Sequence, residues 1–181
     1  VPLASQFAKK FHRLLNILKA LEHHYEKISL QKQRTETHTT TVSENRALLL
    51  SEAKELHAKE LFDDAERKYI AAIALDPKSI GAYEGLGELY FQQKDYESAR
   101  ETYTHIVRLN ERNVAAHSRL GAIASASGNL SEAEQDYEKA LALGNDLVAS
   151  HLDLGVVHAA MGKHEEALAN FMKARELEPK N

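Results

Sequence analysis

Apolar residues in this chain follow two rhythms, and the change between them falls near residue 45. In the first stretch they recur at Phe7, Phe11, Leu14, Leu18, Leu21, Tyr25 and Ile28, in alternating steps of four and three. That is a heptad seam, and it predicts one amphipathic helix from about Gln6 to Arg34, on the order of 40 Å long at ~1.5 Å per residue. Leu15 and Ile17 flank the seam and widen its apolar face. A face of this kind is not stable bare in water, so it calls for cover from the same chain, from a second copy or from another surface. Residues 35–45 have no apolar period and many β-branched polar residues, which predicts a flexible or extended linker.

Beyond residue 45 the organising period is 34 residues. Ala65, Ala99, Ala133 and Ala167 recur at that interval without insertion. Four residues after each comes an aromatic (Tyr69, Tyr103, Tyr137, Phe171), and seven after it an apolar residue (Ala72, Ile106, Ala140, Ala174). Twelve residues before each stands Ala53, Gly87, Gly121 or Gly155, the last three preceded by Leu86, Leu120 and Leu154. Pro77 and Pro179 close the first and fourth units. A period of this length implies stacked supersecondary units that bury their apolar faces against one another.

The pattern resembles the tetratricopeptide repeat, whose units run aromatic, Leu-Gly, Tyr, Ala, aromatic, Pro. The second unit, with Tyr83, Leu86, Gly87, Tyr90, Ala99 and Tyr103, matches it best. The units are 46–79, 80–113, 114–147 and 148–181, so the resemblance covers about three quarters of the chain. Leu49, His117 and His151 depart from it at the first aromatic, Glu111 and Asn145 at the Pro, and Glu52 at the first unit's Leu. The resemblance implies an all-α, right-handed superhelical solenoid of four helix-turn-helix hairpins, with the long amphipathic helix of residues 1–34 ahead of it.

Glycine inside a helix costs about 1 kcal/mol relative to alanine, so Gly87, Gly121 and Gly155 need a packing reason. The expectation is a close crossing of the two helices of each hairpin, with the alanine of the second helix opposite the glycine. Gly128 and Gly162 fall between the helices, where a left-handed residue ends the first helix at little cost. Phe62, Tyr96 and Leu130 follow that turn and can anchor it; His164 takes the same place in the fourth unit.

Charge divides the chain in the same place. Residues 1–34 carry seven Lys/Arg and two Glu, a balance of +5 in a chain of net charge −4, so a basic arm precedes an acidic body. Solvated charge on a helix face accounts for the arm. An anionic membrane surface is its alternative partner, and a nucleic-acid partner is not expected. The chain has no cysteine, which removes disulfides and thiolate metal sites, and it has no apolar run long enough to span a bilayer. Localisation is expected to be cytoplasmic, with the cytoplasmic face of a membrane as the variant that the basic arm suggests.

Candidate chemistry is sparse. His23 and His24 are adjacent, His151 and His158 are seven apart, and neither spacing is that of a dedicated metal ligand pair. His164-Glu165-Glu166 begins like a zinc protease motif, but Leu168 stands where its second histidine belongs. Gly85-Leu86-Gly87 lies inside a predicted helix and follows no strand, so it reads as packing glycine rather than a phosphate loop. No nucleophile–base grouping appears, so neither enzyme nor cofactor is expected.

By resemblance, the first helices of the units line a concave groove that holds peptides or helices. Its residues here are Leu50, Lys54 and His57, then Glu84, Glu88 and Phe91, then Arg119, then Leu152 and Val156. Family members that clamp a terminal carboxylate place more cations there than Lys54 and Arg119. The expected partner is therefore a protein segment, an amphipathic helix above all, and the expected role is a scaffold or adaptor. The alternative is a homo-oligomer built through the seam Phe7–Ile28, tethered at a membrane face. Leu168 and Met172 lie on the last predicted helix, where a terminal repeat normally turns a polar face outward. Further repeats, another copy or the arm would cover them.

Overall fold

The computed structural model describes residues 25–27, 29–32, 41–144 and 148–178. The chain divides into two compact units, Val1–Asn45 and Arg46–Asn181. In the first, residues 25–27, 29–32 and 41–45 are helical. Tyr25 is exposed; Phe7, Phe11, Leu14, Leu18, Leu21 and Ile28 lie outside the described residues. The linker expected over 35–45 is corrected at its end, since residues 41–58 form one helix, α1. β-Branched Thr41 and Val42 cost a few tenths of a kcal/mol each, which elongation of an existing helix offsets. Residues 35–40 lie outside the description.

In the second unit α1 is followed by α2 (Phe62–Leu75), α3 (Ile80–Gln92), α4 (Tyr96–Leu109), α5 (Val114–Ala126), α6 (Leu130–Leu143), α7 (Val148–Ala160) and α8 (His164–Leu177). No strand occurs among the described residues. Each helix from α2 onward packs on its sequence neighbours, and α5 also touches α7, so the antiparallel pairs stack as an all-α solenoid. The turn inside each pair is the same left-handed step. Gly128 (φ 84°) and Gly162 (φ 77°) take it as expected, and Glu60 (φ 58°) and Lys94 (φ 62°) take it in the first two units at some backbone cost. Between pairs the chain is extended at Asp76, Asn110 and Gly144. Only Asp76 precedes a proline, which would impose that conformation by itself.

The core is divided into three clusters, and each joins the two helices of one unit to the first helix of the next. Ala65 and Tyr69 of α2 pack with Leu86 and Leu89 of α3. Ala99, Tyr103 and Ile106 of α4 meet Ala116, Leu120 and Ile123 of α5. Ala133 and Tyr137 of α6 meet Leu154 and Val157 of α7. Stacking, rather than hairpin formation alone, is thus what removes apolar surface from water.

The helical glycines are needed for a different neighbour from the one expected. A Cβ on Gly87 would lie 2.6 Å from the Tyr103 ring, one on Gly121 2.9 Å from Tyr137, and one on Gly155 2.5 Å from Phe171. The aromatic of the second helix, not its alanine, fills the space of the missing side chain. In the first unit Ala53 replaces the glycine, and Tyr69 instead lies over Gly85 of the next unit, where a Cβ would be 2.3 Å from the ring.

Polar groups are also shared across the stack. Glu134 of α6 accepts from Lys163 Nζ at 2.6 Å and pairs with His158 Nε2 at 2.9 Å. Asn170 joins them through His158 Nδ1 at 3.2 Å and reaches His151 Nδ1 at 2.9 Å through its Oδ1. Lys163 and then His158 hold the Glu134 carboxyl below the usual glutamate range against its desolvation. These histidines pack and bond within the fold; among the described residues no group of three metal-ligating side chains converges.

One unit deviates. Asp136 takes the place of Asn170 and His117 that of His151, yet His117 Nδ1 is buried without a partner, and burial raises the Asp136 carboxyl above its ordinary value. A carboxyl whose folded pKa is raised opposes folding once pH exceeds its unfolded value near 3.8, and the penalty is complete above the folded pKa. Asp136→Asn should therefore stabilise the protein at pH 7 by about 1 kcal/mol, the worth of one satisfied hydrogen bond. Thermal melts should show the gain shrink as pH falls toward 3.8; equal melting temperatures at pH 7 would refute it.

Candidate protein-binding site

The first helices place the predicted groove residues at three kinds of location. Lys54, Glu84, Glu88 and Arg119 come together around a pocket of about 380 Å³. Its floor is Gly81, Gly85, Ala115 and the buried Tyr103. Arg119 and Glu88 form an ion pair at 3.3 Å across α5 and α3. Lys54 and Glu84 are exposed and have no ion pair among the described residues. The pocket rim thus presents one free cation and one free anion beside a neutralised pair.

Three further predicted residues are committed to the fold. Leu50 is half-buried against the first cluster and Phe91 against the second, where its ring lies 5.8 Å from Tyr96. His57 bonds to Gln92 at 3.0 Å and stands edge-on to Phe62 and Tyr69. Leu152 and Val156 are exposed on α7, away from the residues that line the pocket.

Sequence reasoning missed the pocket floor. Its signal was present in Gly85, which stands at the repeat position that Arg119 and Asp153 occupy in the next two units. A position that varies from charge to glycine at constant period marks a place where the groove deepens. The aromatics at the repeat position direct their hydroxyls to groups of the first helices. Tyr103 donates to the Glu84 carbonyl at 3.4 Å, and burial pushes its hydroxyl pKa up to about 12. Tyr137 turns its hydroxyl to the Asp153 carboxylate, and burial raises both groups.

A larger hollow of about 630 Å³ lies on the opposite face, lined by Glu97, Arg100, Glu101, His105, Glu132 and neighbours on the second helices. Its central Arg100 is already paired with Glu97 at 2.6 Å and faces Glu132 at 3.8 Å. Its lining is mostly charged, so it offers a ligand less apolar surface than the groove does. Among the described residues no helix is long and apolar enough to cross a membrane.

Comparison with known proteins agrees with this architecture. Two family models described as tetratricopeptide repeat match residues 50–111 and 112–177. No curated protein matches the chain. A solved structure titled "Crystal structure of MamA" superposes with TM-score 0.68 at 26% identity, over 74% of this chain and 78% of that one. Another, "Crystal structure of MamA protein", gives 0.66 at 26%, over 74% and 73%. "MamA 41-end from Desulfovibrio magneticus RS-1" gives 0.67 at 20% identity, over 73% and 75%, a likeness of fold alone. With its repeats matched along nearly the whole second unit, the chain belongs to the tetratricopeptide repeat family and is of the protein–protein interaction scaffold type.

Proposed function

We propose that the groove centred on Lys54, Glu84, Glu88 and Arg119 docks an amphipathic helix of a partner protein. The observation that carries this reading is a floor in which the small residues Gly81, Gly85 and Ala115 lie beside the Tyr103 ring, inside a rim of mixed charge. A floor of that kind admits a helix or backbone closely, while the unpaired Lys54 and Glu84 select a partner segment with charges of both signs. Because Phe91 and Leu50 support the core, charge reversal at the rim is a cleaner probe than their replacement.

Partner capture by the full chain is expected to fall about tenfold or more for Lys54→Glu combined with Glu84→Lys, the loss of two desolvated polar contacts. Glu101→Lys on the opposite face should leave it unchanged. Equal capture by wild type and both variants, measured by quantitative pull-down, would defeat the groove reading.

Tyr25, a seam residue, is 80% exposed, and this favours a second reading in which the N-terminal helix packs with that of another copy. The basic arm is compatible with a membrane's cytoplasmic face as the place of that assembly.

A further inference from the structure

The joints between successive units are not all built alike. At the joint between the first and second units, Tyr90 of α3 donates to Glu66 of α2 at 2.6 Å. At the joint between the third and fourth, His158 of α7 pairs with Glu134 of α6 at 2.9 Å. The two contacts use the same repeat positions, so each joint is latched by a ring on a first helix and a carboxylate on the second helix before it. Between the second and third units these positions hold Ala124 and Arg100. Both halves of the latch are replaced there, and Arg100 turns to Glu97 and Glu132 instead.

The hollow of about 630 Å³ opens at this joint, between α4 and α6 and over Leu120 of α5. Beneath it, polar groups are left over. His117 stands one turn before Leu120 on the same side of α5 and is only 8% exposed. Its Nε2 bonds the Glu111 carbonyl at 3.1 Å, and a carbonyl only accepts, so the ring hydrogen is on Nε2 and Nδ1 presents a lone pair. That nitrogen is buried without a partner. Asp136 lines the hollow beside His117, whose charge its carboxyl feels, and it too is 8% exposed. Lys139 Nζ stays 3.6 Å from it, longer than an ordinary hydrogen bond. In the fourth unit the counterparts of these two residues, His151 and Asn170, bond each other at 2.9 Å, and Asn170 also reaches His158.

The deficit at this joint is of one kind. His117 Nδ1 and the Asp136 carboxylate are both acceptors, and carboxylates outnumber arginines in the lining of the hollow. What they lack is a cation with several N–H donors. Among the described residues no group of three metal-ligating side chains converges, so the complement is an organic cation. A guanidinium suits it best, being planar and able to donate to a carboxylate and a ring nitrogen at once.

We propose that the hollow between α4 and α6 binds a guanidinium group, which donates to the Asp136 carboxylate and to His117 Nδ1 and fills the space left by Ala124. Bound there, it closes this joint as Tyr90 and His158 close the others. The site is separate from the Lys54–Arg119 groove and does not depend on what that groove holds. Its ligand is either an arginine side chain of a protein or a free guanidino compound, which share the recognised group.

Titration of the ¹⁵N-labelled full chain, followed by NMR, tests this with ethylguanidinium and with a capped arginine-centred peptide as probes. Ethylguanidinium should bind saturably at about 10 mM or below and shift the His117 Nδ1 resonance as its lone pair gains a donor. Butylammonium, of equal charge, should bind about tenfold more weakly or less. Tighter binding of the peptide would assign the site to a protein side chain, and equal binding to a free guanidino ligand; either upholds the site. Asp136→Asn should weaken binding about tenfold or more by removing the charged acceptor. Ala124→Tyr, which restores the ring found at Tyr90, should abolish it with circular dichroism unchanged. Asp136→Asn, expected to stabilise the fold, keeps the test valid should Ala124→Tyr misfold. Absence of saturable binding at about 10 mM, equal binding of butylammonium, or binding indifferent to Asp136→Asn would each overturn the inference.

Discussion

Replacing Tyr69 by alanine should destabilise the protein by about 3–5 kcal/mol, the range for truncating a buried large aromatic. The ring is 1% exposed, belongs to the first inter-unit cluster with Leu86 and Leu89, and occupies the space above Gly85. Its loss opens a cavity among α1, α2 and α3, so the first unit should loosen from the rest of the stack. Tyr69→Phe is the informative control. It keeps the ring and gives up only the hydroxyl, so it should cost below about 1 kcal/mol, less than one ordinary hydrogen bond. Urea denaturation followed by circular dichroism checks both. A loss near 1 kcal/mol for Tyr69→Ala would mean that the interface relaxes around the missing ring and that stacking contributes less than the shared clusters imply.

The second large effect is expected at Gly121. Valine there should cost about 1–3 kcal/mol by overpacking, since even its Cβ would sit 2.9 Å from the Tyr137 ring and its branch would go deeper. Tyr137 cannot yield by a rotamer change, being buried between α5 and α7. Gly81 supplies the contrast. Nothing lies within 4 Å of a Cβ built there, so Gly81→Ala should be neutral or gain a few tenths of a kcal/mol from helix propensity. The small residues of the first helices thus do not share one role. Gly87, Gly121 and Gly155 are set by the ring each must accommodate, and Gly85 by the ring of Tyr69, whereas Gly81 lines the groove with no such neighbour.

Helix order and the turns inside the hairpins were legible in the sequence because each is a local property that repeats along the chain. The left-handed step shows why repetition helps. Gly128 and Gly162 declare it, and the period carries it back onto Glu60 and Lys94, whose residue types alone would not. What the pattern could not supply was direction. It identified Gly121 and Tyr137 as fixed positions sixteen apart, but which atoms met across the crossing depends on side-chain geometry, and alanine was the simpler guess. The same limit affected the groove. A helix wheel puts Leu50, Phe91, Leu152 and Val156 on one side, yet stacking turns the first two into the cores and the last two toward the open end of the repeat array. Charged Lys54, Glu84, Glu88 and Arg119 stayed at the groove because desolvation keeps such groups at the surface whatever the packing. Helix formation at residues 41–45 was missed because Thr-Thr-Val-Ser has poor intrinsic propensity, and an adjoining helix overrides that weak preference.

Scaffold function follows from this construction. Cores that join each unit to the next leave exposed first-helix positions such as Lys54 and Glu84 free to vary without loss of the stack. The interlock of ring and glycine is what makes that freedom tolerable, and it is open to a direct measurement. A double-mutant cycle of Gly121→Val and Tyr137→Ala, by urea denaturation, reads the coupling between the two positions. Valine should cost about 1–3 kcal/mol beside the tyrosine and less than half as much once the ring is gone. An equal cost in both backgrounds would show that the ring is not what the glycine accommodates, and would contradict the account.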